Sequence, residues 1–176
     1  MRRLPRLLLL LAAGALALLL VSPVGATADR DDRGSQRWGF FRTLPEGDAR
    51  GLRIRGFAVI TRSSRGTDVN ALAWGLRPRT TYAAHLHNAP CSDPENPGGG
   101  HYKHDPAGPP MPPNELWLSS SSDPMAGITS NAAGIGFGRG SADWVAGPDA
   151  QAVVIHAIPP GGTTAGGPKI ACADLR

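Results

Sequence analysis

The chain has 176 residues, with 18 Lys and Arg against 14 Asp and Glu, 23 glycines, 17 prolines, five histidines and only two cysteines. Residues 1–26 hold three of the arginines and no acid, so beyond them 15 basic residues face 14 acidic ones. A balance this near neutral removes the main argument for a nucleic-acid partner, and none is expected. The roughly 150 residues that remain suit one domain with a real core.

The first segment reads as an export signal. Arg2, Arg3 and Arg6 form a positive start, 7–21 is an apolar run, and Val24-Gly25-Ala26 offers small residues for cleavage, with Ala28 as a second candidate. The run is shorter than the ~20 residues of a membrane-spanning helix. Cleavage after residue 26 is therefore expected, with an extracytoplasmic or secreted product and no membrane partner afterwards. Arg2-Arg3 matches a twin-arginine signal poorly, so the export route stays open. Residues 27–36 (TADRDDRGSQ) are polar and charged and read as a disordered leader.

From residue 37 onward, short apolar or alternating runs are broken by Gly, Pro, Asn and Ser. The expected strands are 38–44, 52–62, 68–76, 80–87, 116–119, 128–131, 134–138, 150–156 and 169–175. No stretch sustains a helical period. Many short strands with Gly- and Pro-rich turns point to an all-β sandwich or barrel. Two segments resist a strand reading: 88–114, and the short uncharged loop 159–168. A connection as long as 88–114 inside a compact domain is usually functional or disordered, and this one carries Cys91, His101 and His104.

The histidines follow a pattern. His85 and His87 stand two apart in a strand-like run, so they share one face while Leu86 takes the other. His101 and His104 follow in GGGHYKHDP, and His156 lies in AVVIHAIPP. Imidazoles gathered in this way favour a transition metal. The two cysteines, Cys91 and Cys172, are expected to pair in an exported chain. Closing so long a loop stabilises by about 4 kcal/mol in the chain-entropy picture. Trp74, Trp117 and Trp144 read as core or edge packing.

In order along the chain, GLRPRTTYAAHLH, GGGHYKHDP, AVVIHA and GGPKIACADL, with the cysteine pair in step, resemble the copper-zinc superoxide dismutases from about Trp38 to the C-terminus. The resemblance implies an eight-stranded Greek-key β-barrel over 37–176 with a long metal-binding loop. It implies His85, His87, His101 and His156 as copper ligands, His101 being the one that bridges to zinc where zinc is present. It also implies a Cys91–Cys172 disulfide holding the metal loop, and Lys169 in the place where the family carries an arginine beside the copper. The implied activity is the conversion of superoxide anion to dioxygen and hydrogen peroxide, with His101 and Lys169 as its working residues.

The departures are specific. The family's zinc site needs two further histidines and an aspartate, and only His104 remains, closer to His101 than the family's spacing has it. The aspartate segment corresponds to Asn114-Glu115-Leu116 or to a site at Asp123. The loop before Cys172 is short and carries one charge, Lys169. These losses resemble the copper-only branch. Copper is the expected cofactor. Zinc stays open through His101, His104 and Asp105 or Glu115, although a structural zinc site wants four protein ligands. Without zinc, Glu115 is the expected orienting partner of His101, with Asp123 the rival. A non-catalytic, extracytoplasmic copper-binding β-domain is the alternative function. The residue pattern is silent on oligomeric state.

Overall fold

The structure, a computed structural model, describes residues 34–176. The expected signal, its cleavage site and the leader up to residue 33 lie outside them. Ser35 and Gln36, read above as the end of the leader, already belong to a strand, paired with Arg62 and Thr61.

Eight strands make up the fold: β1 (Ser35–Thr43), β2 (Arg55–Ser63), β3 (Gly66–Trp74), β4 (Thr81–His87), β5 (Ile128–Thr129), β6 (Gly136–Ala142), β7 (Ala152–Ala157) and β8 (Lys169–Asp174). They pair antiparallel in the order β5-β4-β7-β8-β1-β2-β3-β6. β5 and β6, at the two ends of that order, lie against one another, so the sheet is a nearly closed all-β barrel. β3 hands over to β4 across the barrel while β6 returns to β3, which is Greek-key connectivity.

Alternation explains the barrel wall. β2, β3 and β6 bury every second residue, as strands with one wet face do. Their inward residues (Ala58, Ile60, Val69, Ala71) join Leu86, Leu116, Leu118, Ile128, Ile155 and Ile170 in one core. β6 is glycine-rich on its inward face for a steric reason. A Cβ at Gly138 would lie 2.5 Å from the Ile128 side chain, and one at Gly140 2.4 Å from the Trp117 carbonyl. β4 and β7 differ: almost every residue is buried on both faces. Their outer face is covered by the two segments that resisted a strand reading.

Three local expectations change. Residues 116–119 form no continuous strand. They touch β4 through the His85–Trp117 bridge and β6 through the Ser119–Arg139 bridge, and hydrogen bonds between Leu86 and Leu116 and between Leu118 and Ala84 hold them to β4. A helix, α1 (Pro45–Ala49), appears where none was expected. At five residues it is too short for a helical period to show, and Pro45 at its start is its one sequence cue. Segment 88–114 is folded back as successive turns, with His87–His101 and Lys103–Glu115 bridges. Among the described residues, no helix is long and apolar enough to cross a membrane.

Candidate metal centre

β4 supplies the first two site residues. Leu86 points into the core, so His85 and His87 point outward by strand alternation, yet each is only 1 % exposed. β7, paired with β4, brings His156 beside them. Loop 88–114 folds over this face and adds His101, bridged to His87. The loop is fixed by Asn88 N–H donating to Gly100 O and Ala89 N–H donating to Gly98 O. Gly98 and Gly99 have φ of 80° and 67°, and a Cβ on Gly99 would press on Asn88 and Ala89 at 2.6 Å. The glycines ahead of His101 are thus required by a left-handed backbone and a close approach.

The Cys91–Cys172 disulfide, with a Cα–Cα separation of 5.8 Å, ties the same loop to β8. It lies in a small buried cluster with Leu44, Ala152 and Val154. Arg42 donates to the Cys91 carbonyl and Cys91 N–H to Asp174 Oδ1, so the loop base is also held by polar contacts. A disulfide is compatible with a location outside the cytoplasm.

One nitrogen from each of His85, His87, His101 and His156 lies within 4.8 Å of the other three. Each ring's remaining nitrogen is hydrogen-bonded: His85 Nε2 to Thr164 O at 2.7 Å, His87 Nδ1 to Gly99 O at 3.2 Å, His156 Nδ1 to Gly167 O at 2.8 Å, and His101 Nδ1 to Glu115 Oε2 at 2.8 Å. All four partners are acceptors, so each of these nitrogens carries a proton, and in the neutral ring the opposite one presents a lone pair. The lone pairs therefore sit on His85 Nδ1, His87 Nε2, His101 Nε2 and His156 Nε2.

Two consequences show that this set suits a cation. His85 Nδ1 is the one buried side-chain nitrogen or oxygen among the described residues without a hydrogen-bond partner. His87 Nε2 and His156 Nε2 face each other at 3.1 Å, two lone pairs with no proton between them. Nitrogens on one ion at about 2.0–2.1 Å stand no more than about 4.2 Å apart, so the cluster needs only small closure to bind. Burial reinforces the neutral, ligating form. It pushes His85 down to about 2, with His101 and His156 adding to the effect, and His156 to about 4, where the Gly167 carbonyl opposes it and His101 adds to it. His87 is likewise held well below the usual imidazole range, by burial first. A buried four-histidine group of this kind can hold a metal ion.

Glu115 is only 3 % exposed, and its Oε2 accepts from both His101 Nδ1 and Trp117 Nε1, each at 2.8 Å. Asp123 instead accepts from Met125 N–H at the start of the 3-10 turn Pro124–Ala126. Between the two rival acids, the contact to His101 is therefore made by Glu115. His104 is not brought to the four histidines. Its ring stacks on Trp144 at 4.9 Å, and Trp144 is held by donating to Pro113 O. Asp105 is engaged within its own turn, accepting from Ala107 N–H. His104 and Asp105 therefore add nothing to a zinc site at His101 in this arrangement.

Lys169 Nζ donates to Asn96 Oδ1, Pro97 O and Gly99 O. Gly99 O accepts from His87 Nδ1 as well, so one carbonyl joins the cation to a ring of the cluster. Partial burial draws the Lys169 pKa down, and its charge helps to keep His87 and His156 neutral.

Several contributors carried no sequence signal. The carbonyls of Thr164, Gly99 and Gly167 fix three tautomers, and any residue type can supply a carbonyl. Trp117, read as packing, packs against His85 at 4.8 Å and also orients Glu115. Its place next to Glu115, two residues on, was the available hint. No protein-family model matches this chain, and no curated protein matches it.

Proposed function

We propose that the chain is an exported superoxide dismutase resembling the copper-only branch of the copper-zinc family, with copper held by His85, His87, His101 and His156. The observation that carries the reading is the convergence of four lone pairs, one of them orphaned at His85 Nδ1, with a carboxylate rather than a second metal behind His101. Copper, when bound, supplies the electron exchange: one superoxide is oxidised to dioxygen, and a second is reduced and takes two protons to leave as hydrogen peroxide.

The residues divide the remaining work. His85, His87 and His156 are 1–3 % exposed, whereas the His101 side chain is 20 % exposed. His101 is thus the ring nearest solvent, and its Nε2 would exchange a proton with incoming anion and water only while that lone pair is off the metal. Glu115 keeps the His101 proton on Nδ1 and so keeps Nε2 turned to the metal. Lys169 draws a small anion toward the cluster as a compact point charge. Imidazole donors suit both oxidation states of copper, and geometry rather than affinity sets the behaviour.

The test is elemental analysis of the exported chain reconstituted with copper and zinc together, followed by pulse-radiolysis decay of superoxide. One copper, substoichiometric zinc and catalytic decay are expected. Stoichiometric copper without turnover would leave the non-catalytic copper-binding β-domain in its place. Tightly held stoichiometric zinc would overturn the copper-only assignment.

A further inference from the structure

The outer face of β1, β2, β3 and β6 carries apolar residues where strand alternation calls for polar ones. Phe40 stands opposite Phe57, Phe57 opposite Leu72, and Leu72 opposite Phe137, one unbroken row across four strands. Trp38, paired with Val59, lies on one side of the row, and Trp74, paired with Arg55, on the other. Trp38 is 54 % exposed, Phe40 66 %, Phe57 39 %, Trp74 44 % and Phe137 53 %. At about 200 Å² per aromatic side chain they leave on the order of 500 Å² of ring surface in water. That is at the upper end of what a protein keeps in one patch without a partner.

Positive charge is gathered along one border of this face. Arg42 follows Phe40 by two residues and Arg55 precedes Phe57 by two, so both share its outward side. Beyond them, at the same end of the barrel, the Arg53 carbonyl abuts Gly75 and Arg77 donates to the Arg50 carbonyl, with Arg79 two residues on. All six arginines are exposed. Glu46 pairs with Arg50 and Asp48 with Arg53, whereas Arg42, Arg55, Arg77 and Arg79 meet no carboxylate among the described residues. Apart from these six arginines and two acids, the described residues hold seven basic and nine acidic side chains. A domain near neutral as a whole thus concentrates its positive charge beside its aromatic row.

We infer that this face docks on the surface of an anionic phospholipid bilayer. Its two parts match the two layers of such a surface. Aromatic rings settle at headgroup level, and arginines along an apolar border reach the phosphates while their stems stay over the rings. A groove at the β1 end fits one headgroup. It holds about 400 Å³ between Trp38 and Phe40, is floored by Gly39, and has Arg42 and Arg176 on its walls. Its one acid, Asp174, is engaged by Cys91 N–H and by Arg176. Two guanidinium groups beside two rings suit a phosphodiester whose acyl chains lie over the row. An uncharged apolar partner would leave the arginine border unmatched, and a soluble polyanion would leave the rings in water. Docking also keeps the histidine cluster in water. β4 and β7, which carry His85, His87 and His156, stand four places from β2 and β3 in the nearly closed order of eight strands, on the opposite wall. Such attachment needs no spanning helix, so it revises the expectation of no membrane partner while leaving the cleaved signal in place.

The experiment is co-sedimentation of the exported chain, its N-terminus checked by mass spectrometry, with phosphatidylcholine vesicles that contain either no phosphatidylglycerol or about 30 % of it. Phe57→Glu and the double variant Arg55→Gln/Arg77→Gln are run beside it, with an unchanged Tm verifying their fold. The wild type is expected to bind the anionic vesicles and not the neutral ones, and to bind more weakly as salt rises. Brominated lipid should quench the emission of Trp38 and Trp74. Each arginine removed should weaken binding about fivefold, and Phe57→Glu should weaken it at least about tenfold. A wild type that ignores both vesicles overturns the inference, as does binding that both variants leave intact. Binding that only the arginine variant weakens, without quenching, assigns the border to a soluble polyanion and overturns the bilayer. A chain that dimerises instead, with Phe57→Glu breaking the dimer, gives the face to a second copy and overturns it as well.

Discussion

Lowering the pH should destabilise the metal-free protein, and the structure sets the size of the effect. His85 and His156 are held neutral by burial, with pKa values pushed to about 2 and about 4. In the unfolded chain both return to about 6.5. Between those values the unfolded state binds protons that the native state refuses, so stability falls as pH falls. The contribution is intact above about pH 6.5. For His156 the loss is complete by about pH 4, and for His85 it continues lower. Between pH 7 and pH 5 each histidine costs about 2 kcal/mol, since one unit of displacement is worth about 1.4 kcal/mol. Together they remove about 4 kcal/mol, and His87 adds to the loss in the same direction. Native domains have only about 5–15 kcal/mol in total.

The assay is thermal unfolding of the metal-free and copper-loaded protein at matched ionic strength from pH 7.5 to 4.5. For a domain of this size the metal-free Tm should drop by roughly 10–15 °C between pH 7 and pH 5. The loaded form should hold its Tm until the metal is released, because each lone pair is then committed. A metal-free Tm that moves by less than about 3 °C over this range would refute the burial of neutral imidazoles.

Replacing Cys91 with Ser opens a loop spanning 81 residues. It should cost about 4 kcal/mol, seen as a Tm lower by roughly 10 °C, and should weaken copper binding in a chelator competition, because the same loop carries His101. Glu115→Gln keeps the shape but removes the charge facing His101 Nδ1. Copper affinity should fall by about 10-fold and the pH profile of superoxide decay should shift, while copper remains stoichiometric at saturating metal. His104→Ala removes a ring stacked on Trp144 and should leave both copper and zinc content unchanged by elemental analysis. Lys169→Met should slow superoxide decay and flatten its dependence on ionic strength, and Lys169→Arg should restore most of both; a Met variant with unaltered salt dependence would make Lys169 a loop anchor alone.

The parts of the barrel that were legible in the sequence are those governed by local rules. Period-two alternation placed His85 and His87 on one face and Leu86 on the other, the face that the barrel turns to its core, and turn residues marked most strand ends to within two or three positions. What was illegible depends on partners remote in sequence. His104 follows His101 by three residues, yet Trp144, forty residues on, draws its ring away from the cluster. Residues 116–119 look like a strand by composition, but β4 meets them through only a few bonds before β5 takes over its edge at Thr81 and Tyr82. The outward aromatics of β1 were hidden for a related reason. In Trp38-Gly39-Phe40-Phe41 both faces look apolar, and only the pairing of β1 with β2 shows that Phe41 is buried and Phe40 exposed.

The cluster joins two kinds of support that fail differently. β4 and β7 are sheet-held, so His85, His87 and His156 keep their positions as long as the barrel is folded. Their tautomers are set from outside the sheet, by Gly99 on the long loop and by Thr164 and Gly167 on the short one. His101 and its carboxylate belong to loop 88–114 and its far end. Orientation therefore depends on the loops, and the loops depend on the Cys91–Cys172 bond and on Lys169, which binds three acceptors of one loop from the first residue of β8. A free energy too small to unfold the barrel is enough to turn a ring, since breaking one carbonyl contact costs about 1 kcal/mol whereas the core is worth several times that. Damage to the loop anchors should accordingly degrade metal geometry before it degrades the fold, which is why metal content and Tm must be read separately for each variant.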